Sequence, residues 1–205
     1  PLVKCQASRK SRGGSTPNRE GSWVMMVMTR NSNSLGCCSC GGVCCTPQEE
    51  KLITIDFLYL DLSVCQRCQG AEISLDRAIQ EVSGVLQAAG FGVIVNKINI
   101  TSNELAIQHR FLSSPTIRIN GNDIALDVKE SSCTDCGDLC GEDVDCRVWV
   151  YDGVEYNEPP KALIVNAILK EIYGERKAEP QSREEYYLPE NLRVFFDGLS
   201  NMAER

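Results

Sequence analysis

Runs of apolar residues divide the middle of the chain into strands and helices. A central strand is predicted at 52–62, where LITIDFLYLDL is rich in β-branched and aromatic residues. Apolar residues then recur about every 3.6 positions, and Gly90 follows as a helix terminator, which predicts a helix over 69–89. A second strand is predicted at 91–100, where the sequence reads FGVIVNKINI.

The alternation of helices and strands continues beyond this point. A short helix is predicted to open at 101–104, where TSNE has the capping-box pattern. Two extended runs meet at Asn120-Gly121, a dipeptide that suits the tight turn of a β-hairpin. A last helix is predicted at 159–174, where PPKALIVNAILKEIYG begins with proline and carries its apolar residues on one face. The order of elements predicts an α/β domain.

The two ends of the chain lack this regular pattern. Residues 1–24 are rich in Ser, Gly and Arg, and we expect a disordered tail or an extension that is not native. Residues 25–50 contain a cysteine tract and are expected to form a flexible tail. The domain then covers 51–174, and a polar linker over 175–188 leads to a helix at 189–205. A helix this short is not stable alone, so it must dock on its own domain or on a partner.

Composition and charge argue against several functions. The chain of 205 residues has a net charge of −7 and no apolar run close to the ~20 residues that span a bilayer. We therefore predict a cytoplasmic protein with no membrane partner. Residues 1–46 carry six Lys or Arg and one Glu, so the remainder has a net charge of −12. Such an acidic body argues against nucleic-acid binding, which needs a basic face.

Twelve cysteines are the main chemical feature of the sequence. In a cytoplasmic protein, clustered cysteines indicate catalysis or metal binding before structural disulfides. Eleven of them fall into three groups, and Cys5 stands alone. The groups are a tract of five (Cys37, Cys38, Cys40, Cys44 and Cys45), the pair Cys65 and Cys68, and four in an insertion at 131–147 (Cys133, Cys136, Cys140 and Cys146).

The pair Cys65-Gln66-Arg67-Cys68 stands where the first strand gives way to the first helix. A thiolate at a helix N-terminus faces the positive end of the helix dipole, and Arg67 adds a nearby cation. We therefore interpret Cys65 as the nucleophile of thiol–disulfide exchange and Cys68, one turn further on, as the resolving thiol. Two buried, inert thiols are the alternative.

This pair, together with Ser114-Pro115-Thr116 at the start of the hairpin, resembles the thioredoxin superfamily. The resemblance implies a central mixed sheet flanked by helices, and a cis-proline beside the dithiol, a role that falls on Pro115. Over roughly 50–174, the chain is more similar to a bacterial and archaeal thioredoxin-like family that is a domain of unknown function. The similar segments are LDLSVCQRC, SPTIRING and SSCTDCGDLCG. The chain departs from thioredoxin itself in having Gln-Arg between the cysteines and no Trp before Cys65.

The insertion spaces its four cysteines as C-x2-C-x3-C-x5-C, which supplies the number of ligands that one tetrahedral metal needs. The surrounding acidic residues oppose bare thiolates and suit a bound cation. Zinc or an iron–sulfur cluster is the predicted occupant, while two disulfides or free thiols remain alternatives. We expect this centre to be a structural clip remote from Cys65. The tract at 37–45 is predicted to capture soft metals or metalloids, or else to be merely reactive.

Two functions follow from these predictions. The first is a thioredoxin-like thiol–disulfide oxidoreductase that acts on a protein or low-molecular-weight disulfide, needs no cofactor for its dithiol, and could combine this chemistry with the handling of soft metals or metalloids. The second is a carrier or sensor of a soft metal or metalloid without turnover. His109 is the one histidine, and no Gly-rich phosphate loop is present, so other catalytic chemistries have little support in the sequence.

Overall fold

The computed structural model describes residues 23–26, 51–125, 127–174 and 185–203. The cysteine tract with Cys37, Cys38, Cys40, Cys44 and Cys45, and also Cys5, lie outside the described residues. The predicted metal capture by that tract therefore stays a prediction. None of the described helices is long and apolar enough to cross a membrane.

The described strands form two sheets. The first is a mixed sheet in the order β1-β3-β2-β4-β5, with β2 and β3 parallel and the other pairs antiparallel. Its strands are β1 (Trp23–Met26), β2 (Lys51–Tyr59), β3 (Phe91–Asn99), β4 (Thr116–Ile119) and β5 (Asn122–Asp123). The second sheet is antiparallel, in the order β6-β7-β8, and consists of β6 (Lys129–Ser132), β7 (Asp145–Tyr151) and β8 (Val154–Tyr156).

Five helices are described around these sheets. They are α1 (Gln66–Ala88), α2 (Asn103–Gln108), α3 (Thr134–Cys140), α4 (Lys161–Tyr173) and α5 (Glu190–Ala203). The predicted fold class, an α/β protein with a central mixed sheet flanked by helices and a cysteine-rich insertion, is confirmed. The arrangement is compatible with a thioredoxin-like fold. The predicted boundary between residues 24 and 25 falls inside β1, which pairs with β3.

The predicted hairpin is present at Asn120-Gly121, where both residues have positive φ, at 50° and 84°. Its second strand, however, is only two residues long. Asp123 ends it, because the Asp123 carboxylate accepts a hydrogen bond from the backbone N–H of Ala125 and turns the chain. The hairpin does not resume after the insertion, since β7 pairs with β6 and β8 in the second sheet.

The core has two parts, one on either side of the central sheet. One part packs α1 and α4 against the sheet through residues such as Phe57, Leu75 and Ile164. The other contains all six cysteines of the described residues, together with Phe111 and the apolar face of α5. The cysteine-rich insertion is thus folded into the main core.

Helix α5 packs against α3 of the insertion and against α2. Leu192, Phe195 and Phe196 point from α5 into the same core as the cysteines. Gly198 permits a close approach, because a Cβ atom there would lie 2.5 Å from the carbonyl oxygen of Cys140. Helix α5 therefore packs closely against the end of α3 at Cys140.

Candidate metal centre

Four cysteines from three separate elements meet in one buried group. The Sγ atoms of Cys65, Cys133, Cys136 and Cys146 all lie within 4.8 Å of one another. The sulfur atoms of Cys136 and Cys146 lie 3.4 Å apart. Cys65, Cys136 and Cys146 have no exposed surface, and Cys133 is 4% exposed. We call this group the four-cysteine cluster.

Two of these cysteines occupy equivalent positions at the starts of helices. Cys65 is the N-cap of α1 and Cys133 is the N-cap of α3, and both have extended backbone angles. Neither cysteine side chain caps its helix through a hydrogen bond. The thiols are therefore available to the cluster, and the N-terminus of α1 favours a negative charge at Cys65.

The other two cysteines come from neighbouring parts of the insertion. Cys136 lies in the first turn of α3, three residues after Cys133, so the two thiols share one face. Cys146 lies in β7, where it pairs with Ser131 of β6. The second sheet therefore brings the strand that carries Cys146 back beside the helix that carries Cys136.

Polar contacts hold the start of α1 against the insertion. The carboxylate of Asp135 accepts a hydrogen bond from the backbone N–H of Gln66 at 2.7 Å. The Arg67 guanidinium donates to the carbonyl oxygens of Ser131, Ser132 and Cys146, and also to the Ser131 hydroxyl, over 2.8–3.2 Å. Arg67 thus fixes the strands of the second sheet relative to Cys65.

The thiols divide into acceptors and donors of hydrogen bonds. Hydrogen bonds from Cys133 first, and then from Cys136 and Cys146, hold the pKa of Cys65 far below its ordinary value despite burial. Hydrogen bonds from Cys136 and Cys146 lower the pKa of Cys133 to about 7. The same bonds to Cys133 raise the pKa of Cys136 and of Cys146. Negative charge is therefore concentrated on the two helix N-caps, while full deprotonation of all four thiols requires a cation.

Cys68 is buried beside the cluster without being part of it. Its Sγ lies 3.3 Å from the Ser114 hydroxyl, which also accepts a hydrogen bond from the backbone N–H of Leu60. The next peptide bond, Ser114-Pro115, is cis, as the resemblance implies. A hydrogen bond to Cys65, together with burial, raises the pKa of Cys68. Cys68 is therefore a protonated partner of Cys65.

Cys140, which the sequence suggested as the fourth ligand of the insertion, does not join the group. Its thiol lies 3.8 Å from the carbonyl oxygen of Gly137 and 3.7 Å from that of Glu142. Four residues advance a helix by about 6 Å, so Cys140 lies a full turn beyond Cys136. Cys65 is the fourth member of the cluster, whereas the sequence predicted Cys140. The insertion therefore lies in contact with the start of α1, where the Cys65–Cys68 pair is. The expectation that the insertion is a structural clip remote from Cys65 is wrong.

An open cavity of about 510 Å³ reaches the edge of the cluster. Among the cluster cysteines, only Cys133 lines it. Acidic side chains from the end of α3 and the following turn, Asp138, Glu142 and Asp143, line the same cavity. The cavity therefore gives access to the cluster at Cys133, while Cys65 does not line it.

The geometry of the cluster fits a single tetrahedral metal ion. Zinc–sulfur bonds of about 2.3 Å place the corners of a regular tetrahedron about 3.8 Å apart. That separation lies within the 4.8 Å limit observed for the four sulfur atoms. The donor set is entirely sulfur and buried, which suits a soft or borderline ion.

Sequence reasoning identified every member of this cluster as a candidate but divided them between two sites. Cys65 was placed in the dithiol, and Cys133, Cys136 and Cys146 in the insertion. A signal was present in the repeated C-x-x-C spacing of 65–68 and 133–136, since each pair opens a helix. The sequence does not single out Asp135 among the acidic residues of the insertion, because its bond to Gln66 bridges distant segments.

The fold and the site define an α/β protein with a buried four-cysteine centre. The chain belongs to the family described as a domain of unknown function (DUF2703), whose model matches residues 53–168. The matched range includes the four-cysteine cluster and Cys68. No curated protein and no solved structure matches the chain.

The role of Arg67 as a clamp leads to a testable expectation. Arg67→Gln removes the bonds that fix Ser131, Ser132 and Cys146 relative to α1, while all four ligands remain. We expect weaker zinc binding in a chelator competition, because the ligands must be ordered at the moment of binding. Arg77→Gln, an exposed position on the same helix, is the matched control. Equal affinities for the two variants would contradict the clamp.

Proposed function

We propose that this protein binds one metal ion, with zinc the best fit, through Cys65, Cys133, Cys136 and Cys146. The observation that carries the proposal is the convergence of four buried Sγ atoms within 4.8 Å. Four protein ligands close the coordination sphere and leave no open position for a substrate, unlike a catalytic zinc site. The centre is therefore a structural, storage or sensing site for a soft or borderline metal.

A mononuclear ion suits the cluster better than an iron–sulfur cluster does. An iron–sulfur cluster places several iron and sulfide atoms between its cysteine ligands, which separates the thiolates further than one ion does. The compact spacing supports one central atom with four sulfur ligands. Zinc and mononuclear iron both bind four sulfur ligands in a tetrahedron. We prefer zinc, because a closed binding site does not require an ion that changes its oxidation state. A cytoplasmic location, where thiols stay reduced, is part of the proposal.

Thioredoxin-like thiol–disulfide exchange is the second candidate function. It is supported by the position of Cys65 at the start of α1, by Cys68 one turn further on, and by the cis Ser114-Pro115 bond whose serine contacts Cys68. Protein or low-molecular-weight disulfides would be the substrates. Against it stands the full burial of Cys65 among the other cluster thiols.

Metal analysis of protein purified under reducing, anaerobic conditions tests the proposed centre. Competing thiols are removed from the full chain by the substitutions C37S, C38S, C40S, C44S and C45S, and we call this protein the tract variant. We expect it to contain one equivalent of zinc per chain. This zinc should be lost when Cys65→Ser is introduced into the tract variant, and it should be retained when Cys140→Ser is introduced instead.

The Cys140→Ser control is matched, because Cys140 is also a buried thiol on α3 but lies outside the cluster. Full metal content in Cys65→Ser, or equal loss in the two variants, would contradict the assignment of the ligands.

A further inference from the structure

We infer that Cys65 alternates between the metal centre and a disulfide with Cys68, so that oxidation by a peroxide releases the metal. The inference rests on the proposed metal centre and adds a function to it. The protein would hold its metal under reducing conditions and give it up to a two-electron oxidant.

The first support is that one sulfur atom belongs to two arrangements. Cys65 lies within 4.8 Å of the three insertion thiols, and as the N-cap of α1 it also stands one helical turn before Cys68, on the same face of the helix. Cys68 contacts Ser114 on its other side and is not a member of the cluster. A disulfide sulfur cannot donate to a metal as a thiolate does. Metal binding and the Cys65–Cys68 disulfide are therefore exclusive states.

The second support is that no neighbouring thiol replaces Cys65 among the described residues. Loss of Cys65 leaves Cys133, Cys136 and Cys146, one ligand short of a closed tetrahedral site. Cys140 lies a helical turn away and is directed toward the carbonyl oxygens of Gly137 and Glu142. Oxidation at Cys65 therefore removes one quarter of the ligand set without a substitute.

The third support is the route by which a small oxidant reaches the centre. The cavity of about 510 Å³ brings solvent to Cys133, which is within 4.8 Å of Cys65. Larger disulfides do not have the same access, because Cys65 and Cys68 have no exposed surface. Hydrogen peroxide is accordingly the oxidant of the proposal.

The steps balance as a relay through Cys133. The Cys133 thiolate attacks one peroxide oxygen, and with one proton this gives a sulfenic acid and one water. The Cys65 thiolate displaces the sulfenic oxygen as a second water, using the proton that Cys68 gives up, and forms a Cys65–Cys133 disulfide. The resulting Cys68 thiolate then attacks the Cys65 sulfur, and Cys133 leaves as a thiolate. Overall, two electrons pass from Cys65 and Cys68 to one peroxide, which becomes two waters.

The position of Arg67 makes the product easy to identify. Trypsin cleaves after Lys51, Arg67 and Arg77, so Cys65 and Cys68 fall on separate peptides, 52–67 and 68–77. Each of these peptides contains a single cysteine. The four insertion cysteines fall together on the peptide 130–147. The linked pair of peptides therefore reports which partner Cys65 has taken.

The experiment treats zinc-loaded tract variant with one equivalent of hydrogen peroxide in the presence of a colorimetric zinc indicator. Free thiols are then alkylated, and tryptic peptides are analysed without reduction. We expect one equivalent of zinc to be released together with a link between 52–67 and 68–77. In Cys68→Ser, which keeps all four metal ligands, that link is lost, and we expect oxidation to stop at the Cys65–Cys133 disulfide, detected as a link between 52–67 and 130–147. Cys140→Ser should behave like the tract variant.

Two outcomes would overturn the inference while leaving the metal centre intact. One is a final link between 52–67 and 130–147 in the tract variant, which keeps Cys68, because an insertion thiol would then be the partner of Cys65. The other is zinc that stays bound while 52–67 and 68–77 are linked. Absence of zinc before peroxide is added would instead contradict the proposed centre itself, so the two failures are distinguishable.

Discussion

Cys146→Ser is expected to remove most of the stability that the metal provides. Structural zinc contributes about 10–16 kcal/mol of apparent binding free energy, and in such sites binding is coupled to folding. Cys146 joins β7 to the cluster and has no exposed surface. Its loss leaves three thiolates, so we expect the free energy of unfolding of the metal-loaded protein to fall by more than about 4 kcal/mol.

Unfolding in urea is measured once with zinc and once with a strong chelator. The comparison separates the contribution of the metal to the free energy of unfolding from the contribution of packing. In chelator, the difference between wild type and Cys146→Ser should shrink to about 1 kcal/mol, because a buried thiol is then exchanged for a hydroxyl without loss of a metal bond. Cys140→Ser should show a small difference under both conditions. An equally large loss for Cys146→Ser with and without metal would contradict the role of Cys146 as a ligand.

Asp123→Ala is expected to produce the second largest effect. Asp123 accepts two hydrogen bonds, at 2.9 and 2.8 Å, from the guanidinium of Arg147, which has no exposed surface and also lies over the Trp149 ring. Removal of the carboxylate leaves a buried cation without its counterion. A loss of about 3 kcal/mol in the free energy of unfolding follows.

Replacement of the other partner, Arg147, should lower the free energy of unfolding by less. Arg147→Met leaves Asp123, whose side chain is 24% exposed and can be solvated by water. Urea unfolding of both variants, with exposed Asp127→Ala as a control in the same loop, checks this asymmetry. Greater destabilisation by Arg147→Met than by Asp123→Ala would show that packing of the arginine matters more than its charge.

Local sequence patterns predicted the elements that frame the site. The apolar period of 69–89 and the following Gly90 predicted the helix observed at Gln66–Ala88. Asn120-Gly121 predicted the turn, because few other dipeptides adopt positive φ at both positions. These features depend on neighbours in sequence, so a single chain is enough to identify them.

The composition of the four-cysteine cluster depends on contacts between distant segments. Cys65 and Cys146 are 81 positions apart, and the alternation of residues along the chain does not specify their distance in space. Arg67 illustrates the same difficulty. The sequence suggested a cation that stabilises the Cys65 thiolate, whereas its guanidinium binds backbone carbonyl oxygens of the second sheet. The partners of a side chain in a tertiary contact were not predictable from its neighbours in sequence.

X-ray absorption at the zinc edge of the zinc-loaded tract variant tests the central claim most directly, because it counts the ligands of the bound ion. We predict four sulfur ligands at about 2.3 Å. Cys65→Ser should reduce the number to three, with a lighter atom or no atom in the fourth position, while Cys140→Ser should leave four. A sulfur count that is unchanged in Cys65→Ser and reduced in Cys140→Ser would contradict the centre and restore the insertion alone as the binding site.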